Sequence, residues 1–201
     1  MFSLRSRLAS LSLALPSVAA AQDAVRDTTP FHSGQWAAAF SGGLSFASLG
    51  VLRFSSPRRA LLLDFRFSGG HSHDTSRLND TLVTQGFTSG ANIDTRVGRR
   101  FYQGRGNSVA SFQTVGILAG FHHACQGGAS GSGFCDNGWN AGAFAEFGGA
   151  YLITPRFSVG GTMSVAFSYT RSTARGSSGT SKAWAYQGSV QGISLAATVY
   201  F

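Results

Sequence analysis

The sequence predicts an all-β protein, an antiparallel up-and-down β-barrel of eight strands that crosses a membrane. Three observations support this fold class. Apolar residues make up 43% of the 201 residues and charged residues only 12%, whereas about 25% charged residues is usual in soluble domains. Most of the chain alternates between apolar and polar residues with a period of two, which is typical of strands. The connecting segments are alternately short and long, as expected when all the short turns of an up-and-down sheet lie at one end.

Residues 1–21 are predicted to be a cleaved export signal. Arg5 and Arg7 provide a basic start, residues 8–15 are an apolar stretch, and the small residue Ala21 precedes the expected cleavage site. The apolar stretch is much shorter than the roughly 20 residues of a membrane-spanning helix. The 180 residues that remain carry 14 Lys and Arg against 8 Asp and Glu, a net charge of +6. We expect residues 22–33 to be an N-terminal segment that precedes the barrel.

Eight strands are predicted in the barrel, which covers residues 34–201. In chain order they are residues 34–41, 44–54, 59–69, 87–101, 108–122, 139–153, 157–169 and 183–201. The first and the fifth alternate less regularly than the others, and the eighth alternates cleanly only after Gly192. Residues 71–85, 123–138 and 171–182 are long and polar, and we expect them to be loops at one end of the barrel.

Each regular strand has one apolar face and one polar face. The apolar faces are taken to be Phe46, Leu52 and Phe54 in the second strand; Leu61, Leu63, Phe65 and Phe67 in the third; Ala91, Ile93 and Val97 in the fourth; Trp139, Ala141, Ala143, Ala145, Phe147, Tyr151 and Ile153 in the sixth; and Phe157, Val159, Met163, Val165, Phe167 and Tyr169 in the seventh. A soluble lipocalin-like barrel would turn these faces inward and would need a charged outer face. Here the second face is mostly Ser, Thr, Gly and Ala, so we expect the apolar face to contact lipid.

The few charges on the polar face are nearly balanced. Three arginines, Arg53, Arg66 and Arg96, stand against three carboxylates, Asp64, Asp94 and Glu146. Buried charges are stable only when they are paired. We therefore predict a lumen network of ion pairs that plugs the barrel, since eight strands enclose a space that side chains can fill.

Cys125 and Cys135 are predicted to form a disulfide. They are ten positions apart in a stretch rich in Gly and Ser, and an exported protein matures in an oxidising compartment. A metal site that includes His122 and His123 is the alternative, although the spacing matches no standard zinc pattern. We expect no metal and no cofactor.

The end of the chain carries the most specific resemblance. Ile193, Leu195, Ala197 and Val199 alternate before a C-terminal Phe201, with Gly192 preceding them and Tyr200 beside them. Together with the alternation over residues 34–201, this ending resembles the small eight-stranded outer-membrane barrels of Gram-negative bacteria, the OmpA and OmpX type. The resemblance implies that Gly192, Tyr200 and Phe201 belong to the signal read by the outer-membrane assembly machinery. It also implies that residues 22–33 and the short turns lie in the periplasm and the long loops outside the cell.

A structural or surface-interaction role follows from this assignment, with outer-membrane lipid and lipopolysaccharide as partners of a monomeric barrel. A lipid A-modifying enzyme is one alternative, because His71, Ser72, His73 and Asp74 stand together at the start of a predicted outer loop. That likeness is one of composition only, so we assign no catalytic residue. A narrow gated channel is a second alternative. Nucleic acid is not expected as a partner, because the basic residues are spread over both ends of the barrel.

Overall fold

The computed structural model describes residues 30–78, 81–104, 108–128, 133–176 and 179–201 of the chain. Within these residues the chain forms eight strands: β1 (Trp36–Gly42), β2 (Phe46–Ser56), β3 (Arg59–Leu78), β4 (Thr81–Gly104), β5 (Val109–Gly128), β6 (Gly133–Thr154), β7 (Phe157–Gly176) and β8 (Gly179–Tyr200). No helix in the described residues is long and apolar enough to span a bilayer. The predicted export signal, residues 1–21, lies outside the described residues.

The strands form a closed antiparallel barrel. Each strand pairs with the next, and β1 pairs with β8 over Ala37↔Tyr200 to Gly42↔Leu195. The turns between β2 and β3 and between β6 and β7 are short, and they lie at the same end of the barrel as Phe201. This arrangement confirms the predicted fold class.

The large apolar side chains point away from the barrel axis. Phe65, Val97, Val165 and Leu195 are between 37% and 76% exposed, while the residues that precede them, Asp64, Arg96, Ser164 and Ser194, are buried. The apolar face therefore forms the outside of the barrel, as a barrel surrounded by lipid requires.

The predicted orientation of β2 is wrong. Leu52 and Phe54 are buried inside the barrel, whereas Leu49, Val51 and Arg53 point outward. Both faces of β2 carry large apolar residues, because the inward ones pack in the aromatic core at the short-turn end. Hydrophobic alternation alone therefore cannot tell which face of this strand meets the lumen.

A β-bulge at Gly192 explains why β8 alternates only near its end. Thr162 pairs with Ser194 but Ser164 pairs with Gln191, so β8 uses one residue more than β7. A bulge reverses the faces of the residues on its two sides. The outward residues are accordingly even-numbered before it and odd-numbered after it, namely Trp184, Tyr186 and Val190, then Ile193 and Leu195.

The three predicted long loops continue as strands. The β3–β4 ladder runs on through His71↔Ser89, the β5–β6 ladder through Ala124↔Asp136, and the β7–β8 ladder through Ser172↔Ala183. We call these three extensions the hairpin arms. Their alternation of hydrophobicity fades while the backbone pairing continues, because an arm beyond a bilayer needs no apolar face. The sequence pattern therefore ends where the lipid contact would end.

Candidate functional site

The centre of the lumen is filled by a group of buried charges that we call the plug: Asp64, Arg96, Arg100 and Glu146. Arg96 donates a hydrogen bond from Nη2 to Glu146 Oε2 over 3.1 Å, and Arg100 donates from Nη2 to Glu146 Oε1 over 2.6 Å. Arg96 Nη1 also lies 3.5 Å from Asp64 Oδ2. Each carboxylate oxygen of Glu146 thus pairs with a different arginine that comes from β4.

Neighbouring side chains hold the two plug arginines in place. Arg100 donates from Nε to Thr114 Oγ1 over 2.9 Å. The guanidinium carbon of Arg96 lies 3.9 Å from the ring centre of Phe144, and that of Arg100 lies 4.1 Å from the ring centre of Phe112. Stacking on an aromatic face stabilises a desolvated guanidinium. Charge pairing and ring stacking together hold the plug side chains across the lumen.

Arg66 and Asp94 lie beside the plug but make different contacts. The guanidinium carbon of Arg66 lies 4.3 Å from the ring centre of Phe46. Asp94 accepts hydrogen bonds from the side-chain amides of Asn92 and Asn140, over 3.0 and 3.2 Å. Asp94 is thus held mainly by amide donors, one from its own strand β4 and one from β6.

Arg53 does not belong to this lumen group. It lies on the outer face of β2, and its guanidinium carbon is 5.3 Å from the Trp36 ring centre. The mistaken orientation of β2 accounts for this error. The third arginine of the lumen is Arg100 and not Arg53. Alternation could have identified Arg100, because it stands an even number of residues from Asp94 and Arg96 on the same strand and therefore points to the same face.

An aromatic cluster closes the lumen at the short-turn end. Phe31 is 4% exposed, and its ring centre lies 4.8 Å from that of Phe54, 4.7 Å from Tyr102 and 5.2 Å from Tyr200. The Tyr200 hydroxyl lies 3.0 Å from Ser158 Oγ. The part of the predicted N-terminal segment that the structure describes is therefore folded into the barrel mouth. The composition of this segment did not indicate that the Phe31 side chain would close the end of the lumen. We call Phe31 the stopper.

Cavities lie on both sides of the plug. On the short-turn side, a cavity of about 30 Å³ is lined by Asp64, Arg100, Glu146 and Tyr200 among others, which is room for about two water molecules. On the other side, a cavity of about 520 Å³ that we call the vestibule is lined by Arg66, Asn92, Asp94, Arg96, Leu118, Asn140, Phe144, Ser164, Ala166, Ser168, Tyr186, Gln187, Gly188 and Ser189. A further cavity of about 430 Å³ shares Gln187 with it and extends along the arms.

The β5–β6 arm contains the predicted disulfide. Cys125 and Cys135 are direct partners in the ladder, with their Cα atoms 4.1 Å apart, and their sulfur atoms are bonded. His123 Nε2 lies 3.3 Å from Cys125 Sγ, and its Nδ1 lies 2.7 Å from Asn137 Oδ1. Because the two sulfurs are bonded to each other, neither is a thiolate ligand for a metal. His122 points to the other face, where its Nε2 is 3.8 Å from Asp136 Oδ2.

The histidines of the β3–β4 arm are exposed. His71 and His73 both lie on the outer face of β3, and the His71 ring centre is 6.5 Å from that of Phe87. The side chain of Asp74 is outside the described residues. The structure therefore provides no described contact that would orient either histidine as a catalytic base.

The C-terminal residues divide between the two faces of the barrel. Tyr200 points inward to the aromatic cluster, and Phe201 is exposed, with its backbone N–H donating to the Trp36 carbonyl over 2.9 Å. Gly192 forms the bulge of β8.

No protein-family model and no curated protein matches the sequence. Among solved structures, the fold is similar to that of a major outer membrane protein from Thermus thermophilus, with a TM-score of 0.60 and 13% identity over 85% of this chain and 100% of that chain. It is also similar to the outer membrane protein OprG from Pseudomonas aeruginosa, with a TM-score of 0.52 and 12% identity over 86% of this chain and 98% of that chain. The chain thus has the fold of small outer-membrane β-barrels.

Proposed function

We propose that this protein is a monomeric barrel of a Gram-negative outer membrane that does not conduct, and that its role is structural or adhesive, exerted through the hairpin arms. The observation that carries the proposal is the double obstruction of the lumen. The plug closes its middle and the Phe31 cluster closes its short-turn end, so the residues that remain free for contact are those of the arms and the vestibule.

The outer-membrane placement is supported by the exposed apolar band and by the fold. In this orientation the short turns and the N-terminal segment face the periplasm, and the arms face outward. Gly192, Tyr200 and Phe201 would serve as the signal for the assembly machinery, as in the OmpA and OmpX type. Arg171 and Arg175 on the β7–β8 arm are exposed, and arginine fits the phosphates of lipopolysaccharide well.

A narrow gated channel is the second candidate, and one observation favours it. The vestibule and the small lower cavity meet at the plug, so breaking the plug and removing the stopper would join them into one path. We assign no enzymatic role: both oxygens of Glu146 are occupied by arginines, and His71 and His73 are exposed.

Conductance in planar bilayers separates the two candidates. If the barrel is plugged, the wild type should show no discrete conductance steps. Glu146→Ala alone and Phe31→Ala alone should show none either, because one obstruction remains in each single variant. Only the double variant should conduct. Conductance of the wild type would contradict the proposal and favour the channel.

The role of the arms is tested in cells that lack the gene. Deletion should raise the uptake of a hydrophobic dye, and the full chain should restore the barrier. A variant in which residues 71–89 are replaced by Asn-Gly keeps the barrel but removes most of the β3–β4 arm. If this variant folds and restores the barrier fully, that arm is dispensable; a deletion without any effect on dye uptake would refute a role in envelope integrity.

A further inference from the structure

The barrel wall is incomplete above the β1–β2 hairpin. Pairing between β1 and β8 ends at Gly42↔Leu195, and pairing between β2 and β3 ends at Phe46↔Ser68. Beyond these points, in the described part of the chain, β3 from Gly69 onward and β8 before Leu195 each keep one unpaired edge. We call the gap between these two edges the slot. Two strand positions are missing there, which corresponds to three inter-strand spacings, roughly 14 Å along the wall of a complete barrel.

The slot begins within the apolar band. The seven residues of β1 rise about 16 Å at a strand tilt of about 40°, whereas the apolar band of such barrels is about 25 Å tall. With the exposed Trp36 at the lower boundary of the band, β1 ends about 9 Å below its upper boundary. Leu44 at the tip of the hairpin is fully exposed. An apolar residue at the tip suits lipid better than water.

Small residues border the slot. Gly70 on β3 and Gly188 and Gly192 on β8 each have open space where a Cβ would stand, with no atom within 4 Å. Gly188 and Ser189 also line the vestibule. The slot thus connects the vestibule sideways with the surrounding bilayer, and no large side chain from these positions closes it.

Two arginines that each keep an N–H group without a hydrogen-bond partner in the part of the chain that the structure describes lie directly behind the lower border of the slot. Arg66 is stacked on Phe46, the first residue of β2, and both Arg66 and Arg96 line the vestibule. The two side chains are 6% and 3% exposed, and Nε of each is buried without a hydrogen-bond partner among the described residues. A buried N–H without a partner is unfavourable, and an anionic oxygen is the partner that suits it best.

We propose that the slot and the vestibule form a binding site for a single-chain amphiphile with an anionic head, a carboxylate or a phosphate. The head binds Arg66 and Arg96 in the vestibule, and the alkyl chain leaves through the slot into the outer leaflet. There it lies against the exposed side chains of Leu44, Val190 and Ile193. Water and the bound head satisfy the free backbone groups of the two edges, which hydrocarbon could not do. The site rests on the transmembrane placement proposed above.

The test uses the folded full-length mature chain in phospholipid nanodiscs and a hexadecanoate probe that carries a photoactivatable diazirine in its chain. Labelling should concentrate on residues 184–193 and on Leu44. An excess of hexadecanoate or of hexadecyl phosphate should abolish it, and the stronger competitor identifies the preferred head. Hexadecanol, which has the same chain and no charge, should compete at least tenfold more weakly.

Variants locate the two halves of the site. Arg66→Gln should reduce labelling at least tenfold, and Arg66→Lys should retain part of it. The matched control Arg99→Gln removes an outward arginine of β4 and should label like the wild type. An eight-residue insertion after Gly43 adds four residues, about 10 Å along the barrel axis, to each strand of the hairpin. It should fill the slot within the apolar band and abolish labelling while Arg66 stays in place. If Arg66→Gln does not fold, as judged by the mobility shift on boiling, the insertion variant decides alone.

Equal competition by hexadecanol, labelling spread evenly around the barrel, or unchanged labelling of the folded variants would overturn this site while leaving the plugged barrel intact. Failure of the wild type to insert into bilayers would instead remove the transmembrane proposal, and the site with it.

Discussion

Removal of the Glu146 carboxylate should be among the most damaging single changes in this barrel. Glu146 is 5% exposed and accepts from Arg96 over 3.1 Å and from Arg100 over 2.6 Å. Glu146→Ala leaves Arg100 without its ion-pair partner and leaves Arg96 with only Asp64. Breaking a buried ion pair by removing one partner costs about 3–5 kcal/mol. The equilibrium between folded and unfolded barrel should therefore shift by roughly a hundredfold to several thousandfold.

Urea titration in phospholipid vesicles, followed by the fluorescence of the three Trp residues, measures this free energy of unfolding. The control is Arg99→Ala, which removes an outward charge from β4 whose guanidinium carbon lies 6.0 Å from the Phe101 ring centre. The control should change the free energy by less than about 1 kcal/mol, as is common for exposed charges. A loss below about 1 kcal/mol for Glu146→Ala would refute the reasoning, because the two arginines would then be well solvated or paired elsewhere.

Three further predictions concern the barrel mouth, the hairpin tip and the β5–β6 arm. Phe31→Ala should lower the free energy of unfolding by about 3–5 kcal/mol, and the lipid-facing Phe40→Ala by clearly less in the same titration; equal losses would mean that Phe31 is not a stopper. Leu44→Arg should destabilise the barrel by about 2–4 kcal/mol, the cost of a charge near the bilayer midplane. A change under about 0.5 kcal/mol would place the tip in water. Replacing Cys125 and Cys135 together by Ser should make the β5–β6 arm sensitive to protease while the mobility shift on boiling persists; an arm that stays resistant would show that strand pairing alone holds it.

The sequence pattern predicted the barrel well because lipid imposes a simple rule on every strand. The side chains that touch hydrocarbon must be apolar, so alternation identifies most strands and the outward face of β3, β4, β6 and β7. The rule fails where the lumen is also apolar. β2 carries Leu52 and Phe54 on its inner face, and alternation therefore predicts the wrong face of this strand to point outward.

The remaining errors have local physical causes. One extra residue at Gly192 reverses the faces of β8, and a pattern read from a single strand cannot reveal which residue its neighbour skips. Alternation places five charged residues on the lumen face, and they lie there: Asp64, Arg66, Asp94, Arg96 and Glu146. The role of Phe31 could not be predicted, since it depends on three aromatic residues from distant strands that converge at one barrel end.

The ladder between β1 and β8 has a consequence for the order of events during biogenesis. Ala37 and Tyr200 are neighbours in space although nearly the whole barrel sequence separates them. Joining such distant positions costs chain entropy that only the finished cylinder repays. The first strand must therefore stay without its second partner until the last strand has been synthesised and has reached it. Any factor that guides insertion has to act on a nearly complete polypeptide rather than on growing segments.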